Sequence, residues 1–142
     1  MLAPGGLFLN HGITRRFKRR KARFTARPEQ RALVRYIFPG GELDDIGHTL
    51  QELQRAGFEV HDVEGWREHY ALTTKLWCER LTARKQEAIG LIGEETYRIW
   101  VAYLAGCSLA FSRGSAQVFQ TLVGRTAKGP SSVPPTRADL YR

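Results

Sequence analysis

The sequence is short of several things, and each shortage removes a class of function. It holds two cysteines, Cys78 and Cys107, with no Cys-x-x-Cys pair and no Cys/His cluster at metal-ligand spacing. A disulfide scaffold and a zinc site are therefore excluded, and two free thiols suit a reducing cytoplasm. No apolar run approaches the roughly 18 residues that a membrane-spanning helix needs. The opening Met1-Leu2-Ala3-Pro4-Gly5-Gly6 has neither the charged nor the apolar region of a secretory signal. Most telling, no glycine-rich phosphate or cofactor loop lies near any strand–helix junction.

What is present is the composition of a globular domain, 42% hydrophobic and 25% charged over 142 residues, long enough for one real core. Positive charge is segregated. Between Arg15 and Arg35 lie ten basic residues (Arg15, Arg16, Lys18, Arg19, Arg20, Lys21, Arg23, Arg27, Arg31 and Arg35) against the single acid Glu29. That segment carries +9 of a total of +8, so the remaining residues sum to −1. A patch this local suits an anionic surface, either phospholipid headgroups or nucleic acid. Phe17 and Phe24 interleave with it, as in some single-strand binders and membrane-surface segments. A solvated loop is the plainer alternative.

Along the chain, Pro4-Gly5-Gly6 reads as a turn before a short strand, Leu7–Ile13, with His11 and Ile13 near its C-terminal end. In α/β sheets ligands collect beyond that end of the strands, although a strand-end histidine also serves simply to bond a loop. Glu29–Phe38 has the pattern of a short helix ended by Pro39-Gly40-Gly41. Asp44 or Asp45 caps an amphipathic helix through Arg55 with the stripe Ile46, Leu50 and Leu53, and Gly57 closes it. Phe58–Glu64 alternates as a half-buried strand, placing His61 on the polar side.

Helical pattern resumes from Trp66 to about Ala83, then Lys85–Ile92, a break at Gly93, and Glu94–Ser112. The last helix is apolar on nearly every side, which means burial or the wall of a pocket for a long apolar substrate. Cys107 within it reads as a small packing residue. A final strand covers Ala116–Val123, and the residues after about Gly124, rich in Pro, Ser and Gly, read as a disordered tail. The expected organisation is one partial domain over 1–124 followed by a tail over 125–142.

Five pieces, in order, carry a resemblance: Pro4-Gly5-Gly6 with Leu9-Asn10-His11-Gly12-Ile13; Ile37-Phe38-Pro39-Gly40-Gly41; His69-Tyr70-Ala71-Leu72-Thr73; Trp77; and Tyr103-Leu104-Ala105-Gly106-Cys107. Together they resemble the cyclopropane-fatty-acyl-phospholipid synthases and mycolic acid cyclopropane synthases, over roughly residues 2 to 124. Each piece alone is weak; the ordered set is specific.

The resemblance implies an α/β fold, the C-terminal half of a Rossmann-like S-adenosylmethionine-dependent methyltransferase, with three strands and a long helical insertion. Ala116–Val123 would run antiparallel between the other two strands, and Leu7–Ile13 would present an open edge suited to self-association. In that family a methyl group passes from S-adenosylmethionine to a cis double bond of an acyl chain, and bicarbonate then removes a proton so that the ring closes. His11 matches the family's bicarbonate-binding histidine, Ile13 the residue whose backbone N–H holds the same anion, and Tyr70 the tyrosine that reaches bicarbonate and faces the cationic centre. The family's glycine-rich cofactor loop and ribose-binding acid match nothing here, so S-adenosylmethionine is not expected to bind this chain alone.

The implied partners are a phospholipid acyl chain and an anionic membrane surface, contacted by Arg15, Arg16, Lys18, Arg19, Arg20, Lys21 and Arg23 at the inner, cytoplasmic face. Nucleic acid becomes the weaker reading. Leu72 stands where many members carry arginine, which bears on the acyl substrate and on ring formation against methyl branching or N-methylation. The alternative function is a non-catalytic module that holds anionic membrane or nucleic acid through residues 15–35.

Overall fold

A computed structural model of the chain describes residues 2–16, 35–126, 129 and 133–138. Lys18, Arg19, Arg20, Lys21 and Arg23, and all but the end of the expected helix Glu29–Phe38, lie outside the described residues.

Three strands form one sheet: β1 (Leu7–Arg15), β2 (Phe58–Gly65) and β3 (Ala116–Arg125), in the order β1-β3-β2. β3 runs antiparallel to both neighbours, as expected for the last strand. β1 and β2 therefore point the same way, and the helix α1 (Ile46–Arg55) lies between them in sequence. Its start is set by Asp45, whose carboxylate accepts the His48 N–H at 3.1 Å; such a cap contributes about 1 kcal/mol. Gly57, at φ +83°, turns the chain out of the helix in a conformation that side chains disfavour. Ile46, Leu50 and Leu53 are half-buried, as the stripe predicts.

The central strand supplies much of the core, with Val118, Thr121 and Val123 each fully buried. In β2 the register slips between Val60 and Asp62, making His61 the extra residue of a bulge. The expectation of a surface His61 is thereby corrected. The ring is half-buried and lies over Gly124, where a Cβ would sit 2.5 Å from Nε2. A bulge changes which way a side chain leaves the strand, and strict alternation does not register it. The segment expected to be a tail from residue 125 also has order at two points. Arg125 is the last residue of β3, and Arg137 pairs with the largely buried Asp62 at 2.5 Å.

Three helices, α2 (Arg67–Ala83), α3 (Lys85–Ile92) and α4 (Glu94–Ser112), stand between β2 and β3 in sequence, with α3 and α4 at the expected bounds. Gly93, at φ +79°, makes the break between them. α4 packs along α2 through Tyr97, Leu104 and Phe111, spaced by seven and all buried. Ser108 donates to the Ala71 carbonyl at 3.0 Å, and Arg67 donates to the carbonyls of Phe111 and Ser112, satisfying the open end of α4. Of the two readings open for α4, burial on all sides is not what is found: Trp100 and Leu109 are 39% and 53% exposed. Among the described residues α4 packs chiefly on α2, with lesser contacts to α3, β3 and the Phe38 ring, so part of its surface has no cover.

Candidate functional site

Strand alternation puts Leu7, Leu9, His11 and Ile13 on one face of β1. The direction of their backbone groups follows from the ladder. Arg125 N–H donates to Gly6 C=O and Arg16 N–H to Ser115 C=O, so even-numbered residues of β1 bond to β3 and odd-numbered ones point away. Arg15 confirms this, because its N–H reaches outward to the Asp44 carbonyl at 2.9 Å. The N–H of Ile13, two residues earlier, points to the same outer edge and meets no described acceptor.

Tyr70 comes to this face from the first turn of α2. Trp66 N–H bonds the Val118 carbonyl at 2.8 Å, which ties the start of the helix to the centre of the sheet. Tyr70 N–H then bonds the Trp66 carbonyl, and its own carbonyl accepts from buried Thr74 at 2.7 Å. The phenol ring meets Phe111 edge-on at 5.8 Å. With its body packed in this way, its hydroxyl lies 2.7 Å from His11 Nε2, across 59 residues of sequence.

The two site residues are thus brought together, and more closely than anticipated. An ion between them would need roughly 5–8 Å from group to group; instead they touch. With the proton on Nε2, His11 donates to the tyrosine oxygen and the phenolic O–H is free to donate onward; with the other tautomer the bond reverses. The neighbouring His69 does not join the site, and its ring lies tilted against Trp66 at 4.7 Å between centroids.

Arg15, expected on the membrane surface, also has a structural role. Its Nε donates to the Leu43 carbonyl at 2.7 Å and its side chain lies near Asp45, holding the loop that leads into α1. Arg16 is exposed. A feature that sequence reasoning left as packing is the aromatic cluster around Tyr103. Phe38 and Trp100 meet its ring edge-on at 6.0 and 5.5 Å, bringing the Pro39-Gly40-Gly41 loop against α4. Burial, reinforced by the neighbouring Cys107 thiol, pushes the Tyr103 hydroxyl well above the usual phenol range. Burial likewise raises the Cys107 thiol, so at neutral pH both stay protonated. The i, i+4 spacing of 103 and 107 was the available signal.

An open cleft of about 590 Å³ lined by Tyr36, Glu94, Glu95, Arg98 and Ile99 shares no residue with the His11–Tyr70 pair. Among the described residues no group of three His, Cys, Asp or Glu could hold a metal, and no helix is long and apolar enough to cross a membrane.

The sheet order and helical insertion define a Rossmann-like methyltransferase fold, which comparison with solved structures bears out. The cyclopropane synthase MmaA2 from Mycobacterium tuberculosis superposes with a TM-score of 0.74 at 30% identity, over 87% of this chain and 45% of that one. A mycolic acid cyclopropane synthase, CmaA1, complexed with SAH and CTAB gives 0.73 at 32% identity, over 84% of this chain and 44% of that one. The family model described as mycolic acid cyclopropane synthetase matches residues 1–121, and the chain belongs to that family. A probable fatty acid methyltransferase of Pseudomonas putida is 42% identical over 139 residues, covering 97% of this chain and 35% of the relative. The chain thus spans about a third of that curated relative and under half of the solved structures it matches.

The residues present do not fit S-adenosylmethionine. The sequence supplies no glycine-rich strand–helix turn for it.

Proposed function

We propose that this chain forms the anion-binding and acyl-binding portion of a lipid-modifying methyltransferase acting on the cis double bond of a phospholipid acyl chain. The observation that carries the reading is the 2.7 Å contact between His11 and Tyr70 beside the outward N–H of Ile13. A bound bicarbonate would supply a base for the proton lost when the ring closes. The chain's own contribution is to hold that anion: Ile13 donates from its backbone, Tyr70 donates from its hydroxyl, and His11 fixes the phenol from behind. Charge-assisted bonds of this kind are about twice as strong as neutral ones. The Tyr70 ring can also stabilise a nearby cation through its face.

The exposed apolar side chains of the helical layer, Leu72, Leu76, Trp77, Trp100 and Leu109, supply a surface for an acyl chain. Leu72, in place of a charged residue, favours an uncharged segment of substrate there. The basic segment Arg15–Arg35 docks the protein on anionic phospholipid at the cytoplasmic face of the membrane, a reading supported by its +9 charge.

Cofactor binding belongs to a glycine-rich half that this chain does not encode. Calorimetric titration of S-adenosylmethionine into the 142-residue chain should show no binding, and micromolar affinity overturns that part of the proposal. When the chain is complemented with the cofactor-binding half of a relative, methyl transfer should appear. Tyr70→Phe should then lower it by roughly 10²-fold or more, the scale of losing a preorganised donor; full activity in that variant removes Tyr70 from the site.

A further inference from the structure

The open cleft at the start of α4 is lined by charges without partners. Glu94 and Glu95 stand in the first turn of α4 and Arg98 one turn later, all exposed, and with Tyr36 and Ile99 they line a space of about 590 Å³. Glu94 and Arg98 have the i, i+4 spacing, acid first, that best suits an ion pair along a helix. Yet among the described residues none of these three charged groups has a salt-bridge or hydrogen-bond partner, and neither has the Tyr36 hydroxyl. Arg35 lies over the Tyr36 ring at 5.2 Å, which adds a second positive charge beside the phenol. A few convergent polar groups beside an apolar residue are the usual make-up of a ligand site. Here the groups are of both signs, and so is the ligand that they suit.

We infer that this cleft binds the zwitterionic headgroup of a phospholipid, an ammonium joined to a phosphodiester as in phosphoethanolamine. Arg98 donates to the phosphodiester oxygens, which a guanidinium matches with two parallel N–H bonds. Glu94 and Glu95 accept from the ammonium, whose three N–H donors need such acceptors. Leu91 points to a lipid rather than a free headgroup. It is 79% exposed, the most exposed large apolar residue described, and with Ile92 at 43% it directly precedes Gly93 and the two glutamates. An apolar lip beside a polar cleft suits the border between headgroups and acyl chains. Beyond the cleft, Phe38 and Trp100 both pack on Tyr103, so the aromatic cluster of α4 follows closely on Tyr36 and Ile99. Phe111, whose ring meets Tyr70, lies about 20 Å further along the helix than Arg98. The inference rests on the lipid reading proposed above and adds to it the choice of headgroup.

The test is NMR of the full 142-residue chain, 15N-labelled and free of cofactor, titrated with short-chain phospholipids kept below micelle formation. Dihexanoyl phosphatidylethanolamine should shift the amide signals of Tyr36 and of residues 94–99. It should bind roughly fivefold or more tightly than dihexanoyl phosphatidylglycerol, the worth of two partly exposed charge pairs. Net charge alone gives the opposite order, because a chain at +8 attracts the anionic lipid. Glu94→Gln combined with Glu95→Gln keeps shape but removes both carboxylates, and should abolish the preference by weakening phosphatidylethanolamine. Arg98→Gln should weaken both lipids. All three positions are exposed, so these changes leave the core untouched. Glycerophosphoethanolamine, which lacks acyl chains to meet Leu91 and Ile92, should bind roughly tenfold or more weakly than the lipid.

Equal binding of the two lipids, a preference unchanged in the double variant, or shifts confined to residues outside the cleft overturns the inference. Glycerophosphoethanolamine binding as tightly as the lipid overturns the assignment to a lipid. Methyl transfer by the complemented enzyme reports separately on the His11–Tyr70 site and plays no part in this titration, so the two failures are distinguishable.

Discussion

β1 and β3 are neighbouring strands of similar apolar content with opposite fates. β3 buries Val118 on one face and Thr121 and Val123 on the other, all at 0% exposure. β1 leaves Leu7, Phe8, Leu9 and Ile13 between 40% and 52% exposed. Composition does not separate them. Position in the sheet does: β3 has a strand on each side, whereas β1 has β3 on one side and, among the described residues, no strand on the other. Apolar residues commit a strand to the sheet, and its neighbours decide how much of it becomes core.

The sharpest way to break this comparison is to place a charge in each strand. Val118→Asp puts an unpaired carboxylate at a fully buried site and should cost more than about 4 kcal/mol, abolishing the cooperative urea transition. Leu9→Lys at the open edge should change stability by less than about 0.5 kcal/mol. It should also reduce any self-association seen by light scattering, because edge lysines oppose strand pairing. Equal losses from the two would show β1 to be as enclosed as β3.

A smaller effect probes the other border of β3. Gly124→Ala sets a methyl against the His61 ring where the separation is only 2.5 Å. It should destabilise by about 1–3 kcal/mol, the usual cost of overpacking. Combining it with His61→Ala should return most of that loss in a double-mutant cycle; additive losses would mean that the two side chains do not meet.

The smallest effect has the opposite sign. The Thr121 hydroxyl is fully buried without a partner among the described residues. Thr121→Val, of the same shape, should therefore raise stability by about 1 kcal/mol in the same urea assay, while the same change at an exposed threonine such as Thr82 should not.

Much of this architecture is legible in order along the chain. The Asp45 cap, the Gly57 exit and the Gly93 break are local chemistry, and the helices they bound appear where the pattern puts them. The His11–Tyr70 meeting followed from the ordered family motifs, because nothing local connects residues so far apart. His61 was misjudged because a bulge leaves no mark in an alternating pattern. The structural bond of Arg15 was not legible, because its place in a basic run says nothing of the Leu43 carbonyl that it meets. The exposure of α4 was hidden too, since an all-round apolar helix states a need for cover and not whether cover is there.

By itself, the sequence determined the elements, their order, the segregation of positive charge and the lack of a glycine-rich cofactor loop. These are properties of composition and of neighbours within a few residues. Tertiary structure alone decided that the His11 ring and the Tyr70 hydroxyl lie 2.7 Å apart, that the Ile13 N–H faces an open edge, and that Gln120 stands opposite His11 in the ladder. Each of these depends on register and strand order, which fix distances between residues that the chain holds far apart.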